Sequence, residues 1–233
     1  MQTFIREIAL IGEENFKKLQ GAHVAVFGIG GVGSYAAEAL VRAGIGKLTF
    51  IDGDNVAESN LNRQLIALHS TLGKNKAAVM KERALDIRPN GNFCAKECFF
   101  DEKTENGFDF SDYTYVADCI DSVKAKARLI EKARQAGIRV ISSMGAGNKL
   151  DGNAFRVADI ENTRECPLAR IMRRELKARG VTGVKAVYSE EKPLAPDKSR
   201  AADGERFIGS ISYVPSMAGL LLAGTIIQDI LKM

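Results

Sequence analysis

Asp52 and Asp54 close the apolar run KLTFI, and Asn60, Arg63 and Gln64 follow shortly after. Arg63 carries a planar, permanently charged fork that matches phosphate oxygens. Lys76, just past Gly73, adds a second cation. Asp121, in the run VADCIDS, is a further acid of the kind that holds a magnesium ion bridging phosphates. Upstream, GIGGVGS spaces Gly28, Gly30 and Gly33 as G-x-G-x-x-G, with Gly31 between them. In such a turn the first glycine permits the bend and the second lets backbone approach a phosphate. The third lets helix and strand sit close. The helix that follows presents unpaired N–H groups and a positive dipole end to an anion. No lysine precedes Ser34, which excludes a P-loop.

Asp52 lies nineteen residues past Gly33, where an acid hydrogen-bonds a ribose. Asp54 faces the other way if the strand continues, and so shapes the loop. Two cations, a metal-binding acid and a ribose ligand suit phosphoryl or nucleotidyl transfer better than hydride transfer. Blander roles stay open from the residues alone: Arg63 and Lys76 as surface charges, and Asp121 as the cap of the next helix.

The elements that must position these groups alternate. Strands are expected near 23–27, 47–51, 92–98, 114–118 and 138–143, with helices near 13–20, 34–44, 61–68, 74–88 and 122–136. The fold class is α/β, a Rossmann-like, mostly parallel sheet with helices on both faces. The C-terminal half is elaborated: a strand at 154–158, a helix at 167–179, a strand at 184–188, and a long surface loop at 189–207. A single domain over 1–233 is expected, with a nucleotide-binding half at 1–147 and a substrate and loop half at 148–233.

Composition excludes other classes. Charged residues interrupt any N-terminal apolar run, so no signal peptide is read there. The longest apolar run, 214–227, is shorter than the roughly twenty residues a bilayer requires. It is expected to be a buried helix, with no membrane partner. Cys94, Cys98, Cys119 and Cys166 lack a disulfide-framework spacing, which fits a cytoplasmic enzyme. His23, starting a strand, and His69, ending a helix, are expected to be structural.

The net charge of +4 is modest, but residues 164–179 alone account for an excess of +4. Arg170, Arg173, Arg174 and Lys177 follow helical spacing and face away from Leu168, Ile171, Met172 and Leu176. Such a strip releases counterions from a phosphate backbone, or is simply a solvated face. Lys124, Arg128 and Lys132 form a second series at four-residue steps.

The combination of GIGGVGS, IDGDNV, Asn60 to Gln64 as N-x-x-R-Q, Lys76 and DCIDS resembles the ubiquitin-activating-type adenylating enzymes, the ThiF/MoeB/HesA superfamily. The resemblance covers nearly all of the first 150 residues. It implies that Asp52 holds the ribose of ATP, that Asn60, Arg63 and Lys76 contact its phosphates, and that Asp121 coordinates Mg2+. Gly31, Asp54 and Gln64 belong to the same nucleotide-binding stretch. Arg6 matches an arginine that reaches the ATP of a partner subunit, which implies a homodimer.

The short length, RAGIGKLTFID, and CPLARIMRRELK followed by VYSEE resemble one branch of that superfamily. That branch performs ATP-dependent dehydration of threonylcarbamoyladenosine beside the tRNA anticodon, by carboxylate adenylation. This implies tRNA contact by Arg170, Arg173, Arg174 and Lys177, and admits a cysteine desulfurase and its sulfur acceptor as partners. Cys166 stands where relatives usually carry Asp. Two alternatives share the turn: an activator of a ubiquitin-like or sulfur-carrier protein, and an NAD-binding oxidoreductase or nucleotide sensor.

Overall fold

The computed structural model describes residues 2–195 and 208–233. Residues 196–207, most of the expected 189–207 loop, lie outside the described residues.

Short apolar runs build the sheet. β1 (His23–Phe27) and β4 (Tyr115–Asp118) are buried along their whole length, and β2 (Lys47–Ile51) is buried beyond Lys47. Burial on both faces is the signature of central parallel strands covered by helices. With β3 (Asn92–Lys96), β5 (Arg139–Ser143), β6 (Phe155–Asp159) and β7 (Lys185–Ser189) they form a seven-stranded sheet. Its order is β3-β2-β1-β4-β5-β7-β6. Every pair is parallel except β6 with β7.

Alternation along β1 sends Val24 and Val26 to one face and Ala25 and Phe27 to the other. The first face is covered by α3 (Gly33–Arg42), α4 (Lys76–Ile87) and α7 (Tyr213–Leu231), through side chains such as Leu40, Met80 and Leu222. The second is covered by α5 (Val123–Gln135) and α6 (Pro167–Ala178), through Ile130, Met172 and Leu176. Each fully buried side chain of this kind contributes roughly 1.5–3 kcal/mol. α1 (Ile5–Ile11) and α2 (Glu13–Gly21) precede β1, separated by Gly12 at φ +83°.

The structure departs from expectation in four places. No helix spans 61–68; short 3-10 turns at Glu58–Asn60 and His69–Thr71 flank irregular chain. Side chains compete with the helix there: Asn60 Oδ1 accepts the Ala57 amide, and Thr71 Oγ1 accepts the Leu68 amide while donating to the Ile66 carbonyl. His69 therefore begins a 3-10 turn rather than ending a helix. α1 was not expected; it is seven residues long, none of them buried, with Ile8 and Ile11 resting against the core.

The C-terminal helix is 19 residues, longer than the apolar run suggested. By length and composition alone it could cross a membrane, yet Val214, Ala218, Leu222, Ala223, Ile226 and Ile230 are buried in the protein core. Gly219 allows it to cross α3, since a Cβ there would stand 2.3 Å from the Val32 carbonyl oxygen.

Candidate active site

Strand register sets the site. Phe27 pairs with Ile51 on one side and Asp118 on the other. Gly28, Asp52 and Cys119 therefore leave the carboxyl edge of the sheet in one row, tied by Gly28 N to Ile51 O and Cys119 N to Phe27 O, each 2.8 Å. Ligands of open α/β sheets bind at this edge. A cavity of about 820 Å³ lies along it.

The glycine turn is fixed by contact. Gly28 sits at φ +86°, and a Cβ on it would be 2.7 Å from the Cys119 carbonyl oxygen. A Cβ on Gly33 would be 1.8 Å from the Gly28 oxygen, so this glycine packs helix on strand. Gly31 is closed off by Pro215 of α7 at 3.2 Å. Gly30 differs: its nearest protein neighbour is Gln64 Nε2 at 3.8 Å, so a side chain there would invade the cavity. Gly28, Gly30 and Gly31 line that cavity, and Gly33 lies behind them.

Asp52 is buried at the end of β2 and joins two walls. Its carboxylate accepts the Ile29 amide at 2.6 Å and the Asp54 amide at 2.8 Å. Burial pushes its pKa up, against the lowering effect of these two donors and of Lys76. Each oxygen keeps lone pairs for hydroxyl donors, so a sugar diol suits it.

Lys76 opens α4, held there by Asn75. The Asn75 oxygen caps the Ala77 and Ala78 amides, while its nitrogen donates to the main-chain oxygens of Asp52 and Asp54. Lys76 is itself buried, and its Nζ meets Asp54 Oδ2 at 3.0 Å. Asp54 thus does more than shape the loop, since it presets the ammonium beside the cavity.

Gln64 is buried on the cavity wall, and its Oε1 has no hydrogen-bond partner among the described residues. An orphaned buried amide oxygen calls for a ligand or water, because leaving it unpaired costs about 1–3 kcal/mol. Arg63 also lines the cavity, with Nη1 engaged by the Ser59 carbonyl and Asn62 Oδ1. Asn60 is not among the residues that line the cavity. Its oxygen caps the turn at Ala57, behind the wall, and its carbonyl accepts the Arg63 and Gln64 amides. It orients the two residues that do face the cavity.

Asp121 follows β4, the neighbour of β1, and lines the same cavity, exposed, with no hydrogen bond or ion pair among the described residues. The N-cap position of α5 belongs to Ser122, so the capping role for Asp121 falls away. A carboxylate in the cavity that the glycine turn also lines has the chemistry magnesium takes, one or two carboxylates with phosphate oxygens and water.

A family model described as the ThiF family matches residues 4–233. The chain belongs to the ThiF family. It is 38% identical over 244 residues to a tRNA threonylcarbamoyladenosine dehydratase of Bacillus subtilis, covering 100% of this chain and 96% of that protein. Among solved structures, the E. coli tRNA N6-threonylcarbamoyladenosine dehydratase TcdA in complex with ATP superposes at a TM-score of 0.90. It is 35% identical, with 99% of this chain and 94% of that one covered. The AMP complex of the same E. coli protein gives 0.90 at 34% identity, covering 99% and 95%.

In this ThiF-family chain the basic strip on α6 is narrower than the spacing suggested. Arg170, Arg174 and Lys177 are exposed, but Arg173 is half-buried and donates to the Thr163 carbonyl and hydroxyl. Ile171 is 39% exposed and joins the cavity wall rather than the core. The α5 series is largely neutralised. Arg128 pairs with Glu102 and Glu105, and Lys132 lies 3.7 Å from Glu105. Arg6 is exposed on α1 and does not line the cavity of its own chain.

His23 is structural, as expected: its ring joins Asp112 O and Thr49 Oγ1. Cys166 is buried at the N-cap of α6, on the cavity wall. The sequence reading missed Asn75, Lys126 and Lys149. Asn75 carried a usable signal, an N-cap residue directly before a helical pattern. So did Lys126, which shares a helix face with Leu129, Ile130 and Ala133. Lys149 had none.

Proposed function

We propose that this chain adenylates the carboxylate of threonylcarbamoyladenosine in tRNA and closes that side chain into a ring, in an ATP-dependent dehydration. One observation carries the reading. A single cavity holds, in sheet order, a diol-binding acid (Asp52), an open glycine turn (Gly28–Gly30) with cations at its side, and a free carboxylate (Asp121). Full-length similarity to dehydratases, one of them solved with ATP and with AMP, supports the same substrate.

A carboxylate oxygen of the substrate attacks the α-phosphorus, the bond to the bridging oxygen breaks, and pyrophosphate leaves. An oxygen or nitrogen of the substrate's own urea group then attacks the acyl carbon. The acyl–oxygen bond breaks, AMP leaves, and the urea gives up one N–H proton. The net change is the loss of one water from the side chain. Arg63 and Lys76 meet the phosphate charge, the Gln64 side-chain N–H adds a donor beside Gly30, and Asp52 fixes the ribose. Magnesium on Asp121 supplies further charge neutralisation when bound.

Arg170, Arg174 and Lys177 meet the tRNA backbone, and Arg6 completes the ATP site of a second copy, so the working unit is a homodimer in the cytoplasm. The test is incubation with ATP and tRNA carrying threonylcarbamoyladenosine, then nucleoside mass measurement. A product lighter by one water is expected. An unchanged nucleoside, or pyrophosphate exchange driven by a small carrier protein instead, contradicts the reading.

A further inference from the structure

Three lysines are buried along the carboxyl edge of the sheet: Lys76, Lys126 and Lys149. Lys76 is paired with Asp54 at 3.0 Å, and Lys126 with Asp118 at 2.8 Å. Lys149, 4% exposed, has no carboxylate partner among the described residues. Its ammonium donates to the Glu191 main-chain carbonyl. The Glu191 carboxylate is engaged elsewhere, accepting the Leu150 and Asp151 amides at 2.9 Å. An ammonium carries three donors, and a buried charge without a counter-charge is costly. Burial pushes the Lys149 pKa down, opposed by the neighbouring Cys166 and Glu191.

The position of this cation is informative. Strand order places the end of β5 beyond that of β4, on the side of the glycine turn away from Asp52. Asp52, the glycine turn, Asp121 and Lys149 all line one cavity, and they follow β2, β1, β4 and β5, which are neighbours in that order. Lys149 is held firmly in place. Asn148, at φ +57°, exchanges hydrogen bonds with Gly209 at 2.7 Å, and its carbonyl accepts the Leu194 amide at 2.7 Å. Asparagine is one of the few residues that takes up this conformation readily, and these hydrogen bonds fix the turn that carries Lys149.

We propose that Lys149 forms the acceptor subsite, taking the carboxylate of the incoming side chain and holding it, charge-neutralised, beside the α-phosphate. This rests on the adenylation reading above. Among the described residues Lys149 lacks a counter-charge, which the substrate carboxylate supplies, and without such a cation that carboxylate would be repelled by the triphosphate. Lys149 is thereby a specificity-determining residue for anionic acceptors.

The test uses the full chain saturated with α,β-methylene ATP, and measures binding of threonylcarbamoyladenosine nucleoside and its methyl ester. Wild type should prefer the acid by about tenfold or more, the scale of one hydrogen bond to a charged group. Lys149→Gln should bind both alike while keeping its affinity for the ATP analogue, and Lys149→Arg should restore the preference. No preference in wild type, which requires no variant to fold, overturns the proposal; so does an undiminished preference in Lys149→Gln. If wild type also fails to dehydrate the tRNA nucleoside, the adenylation reading falls as well. Successful dehydration with no acid preference removes the subsite alone.

Discussion

Lys126 Nζ lies 2.8 Å from Asp118 Oδ2, and neither side chain is exposed to solvent. Ser142 Oγ and the Ser143 carbonyl complete the ammonium's partners, and the other Asp118 oxygen accepts the amide of Ile120. The buried pair therefore braces the turn that presents Asp121, and joins it to the end of β5. Lys126→Met leaves Asp118 buried and unpaired, at an expected cost of about 3–5 kcal/mol. Adding Asp118→Asn removes the orphaned charge and should recover much of that loss. The double variant should nonetheless turn over roughly tenfold more slowly, because the Asp121 turn has lost its brace. Denaturant midpoints and steady-state rates measure both effects. A fully stable Lys126→Met protein contradicts the account.

Asp121 is exposed and bears no structural hydrogen bond among the described residues, so Asp121→Ala should change stability by no more than about 0.5 kcal/mol. Turnover should fall by about 100-fold or more, the scale of losing a preorganised charge at phosphorus. Arg6→Ala should also be inactive if Arg6 acts on the ATP of a partner. Mixing the two inactive proteins should then restore part of the activity through heterodimers carrying one intact site. No recovery on mixing would place Arg6 in its own chain's chemistry or outside the reaction.

Glu38 on α3 accepts from Arg83 on α4 at 2.7 and 3.1 Å and from Arg42 at 2.7 Å, clamping the helix of the glycine turn to the helix of Lys76. Burial pushes the Glu38 pKa up, but the two guanidinium groups outweigh it and hold the carboxyl below its usual 4.5. A depressed folded-state pKa means that the unfolded chain takes up the proton first. The stabilisation is complete above the unfolded pKa and fades as pH falls through the folded value. Glu38→Gln should be less stable than wild type by about 1 kcal/mol at neutral pH. That gap should close as the medium becomes more acidic than about pH 4. A gap independent of pH, in denaturant unfolding at several pH values, would rule out the clamp as its source.

Reversing Arg170, Arg174 and Lys177 to glutamate should weaken tRNA binding and flatten its dependence on salt. Each lost phosphate contact lowers the log–log slope by roughly 0.7–0.9. ATP affinity should not change. Arg173 is left intact in this variant because it ties α6 to Thr163. An unaltered salt slope would show that α6 does not meet the RNA.

Much of the nucleotide half was legible because its signals are local. Glycines at fixed spacing, an acid closing β2 and alternating apolar runs each constrain the backbone within a few residues. What was not legible depends on distant partners. The 61–68 segment reads as helical until Asn60 and Thr71 turn their side chains onto the backbone. Arg173 and Arg128 look like free surface charges until Thr163 and Glu105 arrive from elsewhere in the chain. The antiparallel β6 and the burial of Lys149 are set by tertiary contacts that no short window contains.

The central claim is that the substrate's own carboxylate attacks the α-phosphorus of ATP. Labelling that carboxylate with oxygen-18 in threonylcarbamoyladenosine-bearing tRNA, then weighing the AMP released in one turnover, tests it directly. The account predicts one labelled oxygen in AMP and none in the pyrophosphate. Unlabelled AMP, or label recovered in inorganic phosphate, would contradict it.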